Sequence, residues 1–250
     1  MPFRIASFVF LGLIFTLSLG VAFMPANALR GVLNQVPNVD LLNTRGTVWS
    51  GQGQILLDNG FASGFAWQFQ PGSLLRLSPS ANWQLTDPAN PLQGELAWED
   101  GGLNIVASGQ VNATALQPTL DQFDISISGI FELNNTRLRL TDRAEKLQIE
   151  ALSESSVLWS GGMVSYVLGG QFEQLSLPPL IAQITSQGDQ GLMIAVAKKD
   201  AVGTLFSLRL IDSGYVQVGV TRGFMRLMNY PWPGSQNDSD VVLEVEQPIF

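Results

Sequence analysis

The side chains of this chain that could move a proton or hold an electrophile are mostly carboxylates. Aspartate and glutamate number 21 against 13 lysines and arginines, and histidine and cysteine are both absent. Without His there is no ordinary general base near neutral pH, no Ser-His or Cys-His pair, and no imidazole for a transition metal. Without Cys there is no thiolate nucleophile, thiolate metal site or disulfide. Paired carboxylates could still do acid–base work, yet Asp58, Asp87, Glu132 and Asp142 are single and scattered. Glu99-Asp100 is the one adjacent pair, and Gly101-Gly102 behind it reads as a turn. The expectation is a protein that is not an enzyme and takes no cofactor or metal.

Charged residues make up 14% of the chain, well below the roughly 25% of ordinary soluble domains. Apolar residues make up 46%, and the net charge is −8. Nucleic acid is an unsuitable partner, because phosphate neutralisation needs clustered Lys and Arg and no basic run occurs. Few charges with much apolar content imply either extensive burial or an apolar face kept for a partner or a lipid.

The elements that must carry such a face begin with an apolar segment. Residues 5–29 contain no charge, and residues 5–24 are almost wholly apolar. Twenty residues of helix cover about 30 Å, the thickness of the hydrocarbon core. Arg4 precedes the span and Arg30 is the next charge, so the N-terminus is expected in the cytoplasm and the remainder exported. This gives a stub at 1–4, a signal anchor at 5–24 and an exported module at 25–250. The alternative is a cleaved signal: Gly20 and Pro25 are helix breakers, and Ala26-Asn27-Ala28 is an A-x-A pattern with cleavage after Ala28. The length of the apolar segment favours the anchor.

After a short helix over residues 28–36, a two-residue period takes over. Phe65, Trp67 and Phe69 share one face, Trp83 and Leu85 continue it, and Phe123, Ile125, Ile127, Phe131 and Leu133 form a long one-faced run. Turn signals such as Pro71-Gly72, Asp87-Pro88, Gly101-Gly102 and Asn134-Asn135 punctuate the pattern. The expected fold is mostly β: a curved antiparallel sheet with a few short helices, including one over residues 221–230. One small sequence also occurs twice. Gly46-Thr47-Val48-Trp49-Ser50-Gly51 is echoed by Val157-Leu158-Trp159-Ser160-Gly161-Gly162. A tryptophan beside Ser and Gly supplies a large packing anchor next to backbone that can bend. The echo predicts two stacked, related β units at 37–145 and 146–250, linked near residues 142–156.

The stub, the anchor and the segment Leu42-Asn43-Thr44-Arg45-Gly46-Thr47-Val48-Trp49-Ser50-Gly51-Gln52 resemble protein N of the bacterial type II secretion system. Phe65-Ala66-Trp67-Gln68-Phe69-Gln70-Pro71, Leu74-Leu75 and Asn82-Trp83-Gln84-Leu85 extend the resemblance. It implies a single-pass inner-membrane protein with a periplasmic β-rich portion, of AsmA-like character, acting as an accessory component of protein secretion. The implied partners are other inner-membrane and periplasmic secretion subunits, reached through sheet edges and loops. No catalytic residue is carried over. The structural motif then comprises Gly46, Trp49, Ser50, Gly51, Trp159, Ser160 and Gly161.

An alternative function follows from the one-faced strands. A sheet rich in Phe, Trp and Leu and curved on itself makes an apolar groove for acyl chains, lined by Phe65, Trp67, Phe69, Trp83, Phe123, Ile125, Ile127 and Phe131. An outer-membrane barrel fits poorly, because Glu246 and Pro248 interrupt the last strand and only 3 tyrosines are present to form girdles.

Overall fold

The computed structural model describes residues 20–33, 39–58, 60–143, 146–168, 170–188, 191–211, 215–230, 232–234 and 237–248. Residues 5–19 of the expected membrane span lie outside them. Among the described residues no helix is long and apolar enough to cross a membrane.

Alternation of apolar and polar residues yields strands, as the period requires. The first half of the chain forms β1 (Val39–Gly46), β2 (Ser50–Leu57), β3 (Ala62–Gln70), β4 (Ser80–Leu85), β5 (Leu92–Glu99) and β6 (Gly102–Asn112). Then come β7 (Ile125–Ile127), β8 (Ile130–Arg143), β9 (Lys146–Ala151), β10 (Ser155–Trp159), β11 (Gly162–Leu168) and β12 (Gln171–Leu177). The chain closes with β13 (Leu180–Ser186), β14 (Leu192–Lys198), β15 (Thr204–Ile211), β16 (Tyr215–Thr221) and β17 (Val241–Pro248). Short helices α1 (Ala28–Leu33), α2 (Pro71–Leu74), α3 (Gln117–Leu120) and α4 (Arg222–Leu227) fill the connections.

Fourteen strands form one antiparallel sheet in the order β1-β2-β3-β4-β5-β6-β8-β10-β13-β14-β15-β16-β17, with β9 paired to β8. A second sheet has three strands, β12-β11-β7. The fold is therefore mostly β and antiparallel with a few short helices. The stretch around residues 142–156 is the hairpin of β8 with β9 and the start of β10.

The chain departs from its expected pattern at three places. The run from Phe123 to Leu133 is not one strand. Asp124 takes φ 55° and Gly129 φ 103°, and these left-handed residues break the run into a 3-10 turn, β7 and β8. Asn134-Asn135 is not a turn between strands. Asn135 takes φ 51° inside β8, and the pairing with β6 shifts register between Ala107 and Gly109. That is a β-bulge, built on the tolerance of Asn for the left-handed region. The helix expected at 221–230 is the shorter α4, whose start is capped by the Thr221 hydroxyl accepting from the Phe224 N–H at 3.4 Å.

Residues directly opposite in antiparallel strands share a face, so register alone traces one apolar surface across the large sheet. Phe65 opposes Leu85, Leu96 opposes Ile105, and Ile105 opposes Leu138. Farther along, Leu133 opposes Val157, Val157 opposes Ala182, Ala182 opposes Val196 and Val196 opposes Phe206. Phe206 faces Val220, and Val220 faces Leu243 on the last strand. From β2 to β6 this face carries no charged side chain. The opposite face holds Gln52, Gln68, Asn82, Gln84, Gln93 and Glu95.

Cover over that apolar face is uneven. One buried cluster joins Trp159, Leu180, Val196 and Leu205 of the large sheet to Val164 and Leu177 of the small sheet, with Phe224 and Leu227 of α4 packed against it. The other is small, comprising Ala26, Leu41 and Trp67 with Leu29 and Phe65 beside them. Among the described residues no element packs broadly over the apolar face of β2 to β5, whose main contacts are with their sheet neighbours.

Candidate functional site

The sparsely covered part of the face has an aromatic floor, over which Ala26 and Leu29 reach only the Trp67 end. Gly51 opposes Trp67, Trp67 opposes Trp83, and Trp83 opposes Gly94. A Cβ on Gly51 would meet the Trp67 Cζ2 at 2.6 Å, and one on Gly94 would meet the Trp83 Cε2 at 3.0 Å. The two indoles thus lean outward over backbone that has no side chain in the way. Phe65 stacks on both rings, at 6.0 Å from Trp67 and 6.4 Å from Trp83. Trp67 is buried, while Phe65, Phe69 and Trp83 remain half-buried.

Gly46, Trp49, Ser50 and Gly51 form the corner between β1 and β2, and they close on the chain that leaves the apolar N-terminal segment. The Trp49 indole N–H donates to the Val21 carbonyl at 2.8 Å. The Val48 N–H donates to Met24 at 3.0 Å, and the Ala26 N–H donates to Gly46 at 3.1 Å. Ala26 is 2% exposed and Leu41 beneath it is 1% exposed. Gly46 takes φ 96° and is crowded by Gly51. Trp49 itself is half-buried, with its ring edge-on to Phe69 at 5.0 Å.

Trp159, Ser160 and Gly161 sit where the chain passes from the large sheet to the small one. Trp159 is 6% exposed, stacks on Phe131 at 6.2 Å and donates from its indole to the Ser128 carbonyl at 3.0 Å. Ser160 pairs with Ile130 twice: its N–H donates to the Ile130 carbonyl at 2.9 Å, and its hydroxyl accepts from the Ile130 N–H at 3.0 Å. Gly161 takes φ 78° against the backbone of Leu177 and Pro178. The two echoes therefore do different work. The first ties the sheet to the N-terminal segment, and the second ties one sheet to the other.

The groove residues named from the sequence divide into three sets. Phe65, Trp67, Phe69, Trp83 and Phe131 share the apolar face of the large sheet. Ile125 and Ile127 belong to the small sheet, opposite Tyr166 and Val164. Phe123 stands apart, 57% exposed, because the left-handed Asp124 turns the chain before β7. Residues that sequence reasoning missed include Gly94, Ala26 and Thr136. Gly94 matters through its register against Trp83, and Thr136 through its register against Ala107. Pairing across strands is not written in local periodicity.

Two groups have shifted acidity. The Asp87 carboxyl is held below its ordinary value by the Ala89 backbone N–H and then by the Asn90 side-chain amide. Burial, followed by the Glu173 charge, pushes the Tyr166 phenol above its ordinary value. Among the described residues no cluster of three or more Asp or Glu could hold a metal ion. No protein-family model, curated protein or solved structure matches this chain.

Proposed function

We propose that the protein is an inner-membrane-anchored, non-enzymatic accessory component of the type II protein secretion system, its β-sheet presented to other secretion subunits in the periplasm. The observation that carries this reading is where the resembling segment lies. Residues 42–52, which resemble secretion protein N, form the corner that binds Val21, Met24 and Ala26, the chain emerging from the apolar span. The second resembling stretch, residues 65–85, pairs next to it as β3 and β4. A retained anchor fits the buried Ala26, since cleavage after Ala28 removes the side chain that covers Leu41 and Trp67.

In this reading the sheet is a curved gutter of AsmA-like character, made of two related units at 37–145 and 146–250. Strands β1 and β17 end the large sheet, and an edge strand can take a partner strand by β-augmentation. The test is removal of the chain from its own cells, followed by assay of type II substrates in the medium. Export is expected to fall and to return with the full chain. Unchanged export in cells lacking the protein overturns the reading.

A further inference from the structure

We infer that the cleft beside α4 docks an acidic segment of a partner protein, with Arg222 as the point of attachment. The sequence builds the cleft locally. Thr221 caps the start of α4, and Asn229 turns the chain after its end by taking φ 56°. The Tyr230 N–H then closes on the Met225 carbonyl at 2.9 Å. That reversal brings Tyr230 and Trp232 beside Arg222 and Arg226, around a cavity of about 300 Å³. A second cavity of about 820 Å³ shares Arg226 and Asn229 and adds Lys198 and Asp238. Three cations and one acid therefore line the pair, in a chain whose net charge is −8.

The two arginines are four residues apart on one helix, so they stand side by side, yet they differ in what they hold. Arg226 grips the Asp238 carboxylate with both terminal guanidinium nitrogens, at 2.6 and 2.9 Å. Arg222 is half-buried, and among the described residues its guanidinium has no such partner. The Arg226 pair is thus a contact from within the chain of the kind that Arg222 offers to a carboxylate from outside. Beside it stand a tyrosine, a tryptophan and a second arginine, the residue types that carry most binding energy at protein interfaces. A flat anionic membrane is a poorer match, because it meets the negative charge of the whole chain. A short segment in the cleft meets only the local positive charge. The inference deepens the secretion reading and rests on it only in taking the partner to be a protein.

The test uses the full chain in its own cells. A benzophenone amino acid replaces Tyr230 in the cleft and, as a control of similar exposure, Tyr215 at the start of β16. After illumination the cross-linked peptides are identified by mass spectrometry. Position 230 is expected to capture one protein at a segment that carries Asp or Glu. Arg222→Glu is expected to cut that adduct about tenfold through like-charge repulsion. Exchanging the captured acid for arginine is expected to restore the adduct in the Arg222→Glu chain. Arg222→Gln, which removes the charge without adding an opposing one, is expected to lower the adduct too, so a folding defect confined to Arg222→Glu does not decide the outcome. Phospholipid adducts in place of protein, a captured segment without an acid, or no adduct above that at position 215 overturns the inference. So does a yield indifferent to both arginine changes. Capture of an acidic segment from a protein outside the secretion machinery overturns the secretion reading and leaves this inference standing. Capture of a secretion subunit at a segment without acids does the reverse.

Discussion

Trp159 and Trp83 stand on the same apolar face of one sheet, in β10 and β4, yet their surroundings differ. Trp159 lies under the small sheet, its ring on Phe131 and its indole bonded to Ser128. Trp83 has no second sheet above it; it is half-buried, stacked on Phe65, and its indole N–H is buried and unpartnered. The same residue type on the same surface serves as a core anchor where a second layer exists and as a floor where none does. What decides between the two roles is cover, and cover comes from other elements: Val164 and Leu177 of β11 and β12, which follow Trp159 directly, and Phe224 and Leu227 of α4, much farther along the chain.

The sharpest way to break the comparison is truncation of the two rings. Trp159→Ala removes a buried indole and its hydrogen bond, and about 3–5 kcal/mol of stability should go with it. Trp83→Ala removes a half-buried ring and should cost about 1–2 kcal/mol. Denaturant unfolding of the two variants measures both, and equal losses would erase the distinction.

A smaller difference is expected when the ring stays and only the polar atom leaves. Trp159→Phe leaves the Ser128 carbonyl without its donor and should destabilise by about 1–2 kcal/mol. Trp83→Phe removes a buried donor that has no acceptor, so its effect should be near zero or stabilising. Unfolding midpoints of the pair decide this directly. Reversed signs would mean that the hydrogen-bond assignment is wrong.

The covered half should also show alkaline sensitivity, the smallest of these effects. Tyr166 packs against the buried cluster, and its pKa is raised from 10.0 by burial and then by Glu173. A raised folded pKa means the contribution is fully present below the unfolded value and fades as pH rises through the folded one. Stability should therefore decline above about pH 10, and Tyr166→Phe should flatten that part of the curve. An unchanged slope in the variant would assign the decline to other groups.

Much of this was legible in the residues. Strand periodicity identified the β class, and the turn at Gly101-Gly102 and the helix after Thr221 came out near their places. Phe65, Trp67, Phe69 and Trp83 of the aromatic floor, and Phe131 in the covered half, fell on one face because period 2 is a local property. The fate of Ile125 and Ile127 was not legible. They show the same alternation as Phe131, and the separation depends on Gly129, whose added Cβ would collide with the Gly161 backbone and with Trp159. The echoed Trp-Ser-Gly likewise carried no sign that one copy would meet Val21 and the other Ser128. Those partners are 28 and 31 positions away, beyond the reach of any local rule.

One continuous apolar face has no broad cover among the described residues over β2 to β5 and is sealed over β10 to β16. The chain contains no cysteine, so single substitutions give an unambiguous readout. Leu96→Cys and Val196→Cys, each in the full chain in detergent, should be treated with N-ethylmaleimide under native conditions. The thiol at position 96 should react at least about tenfold faster, because protection follows the free energy of exposing the site. Equal protection at both positions, or faster reaction at 196, would contradict it.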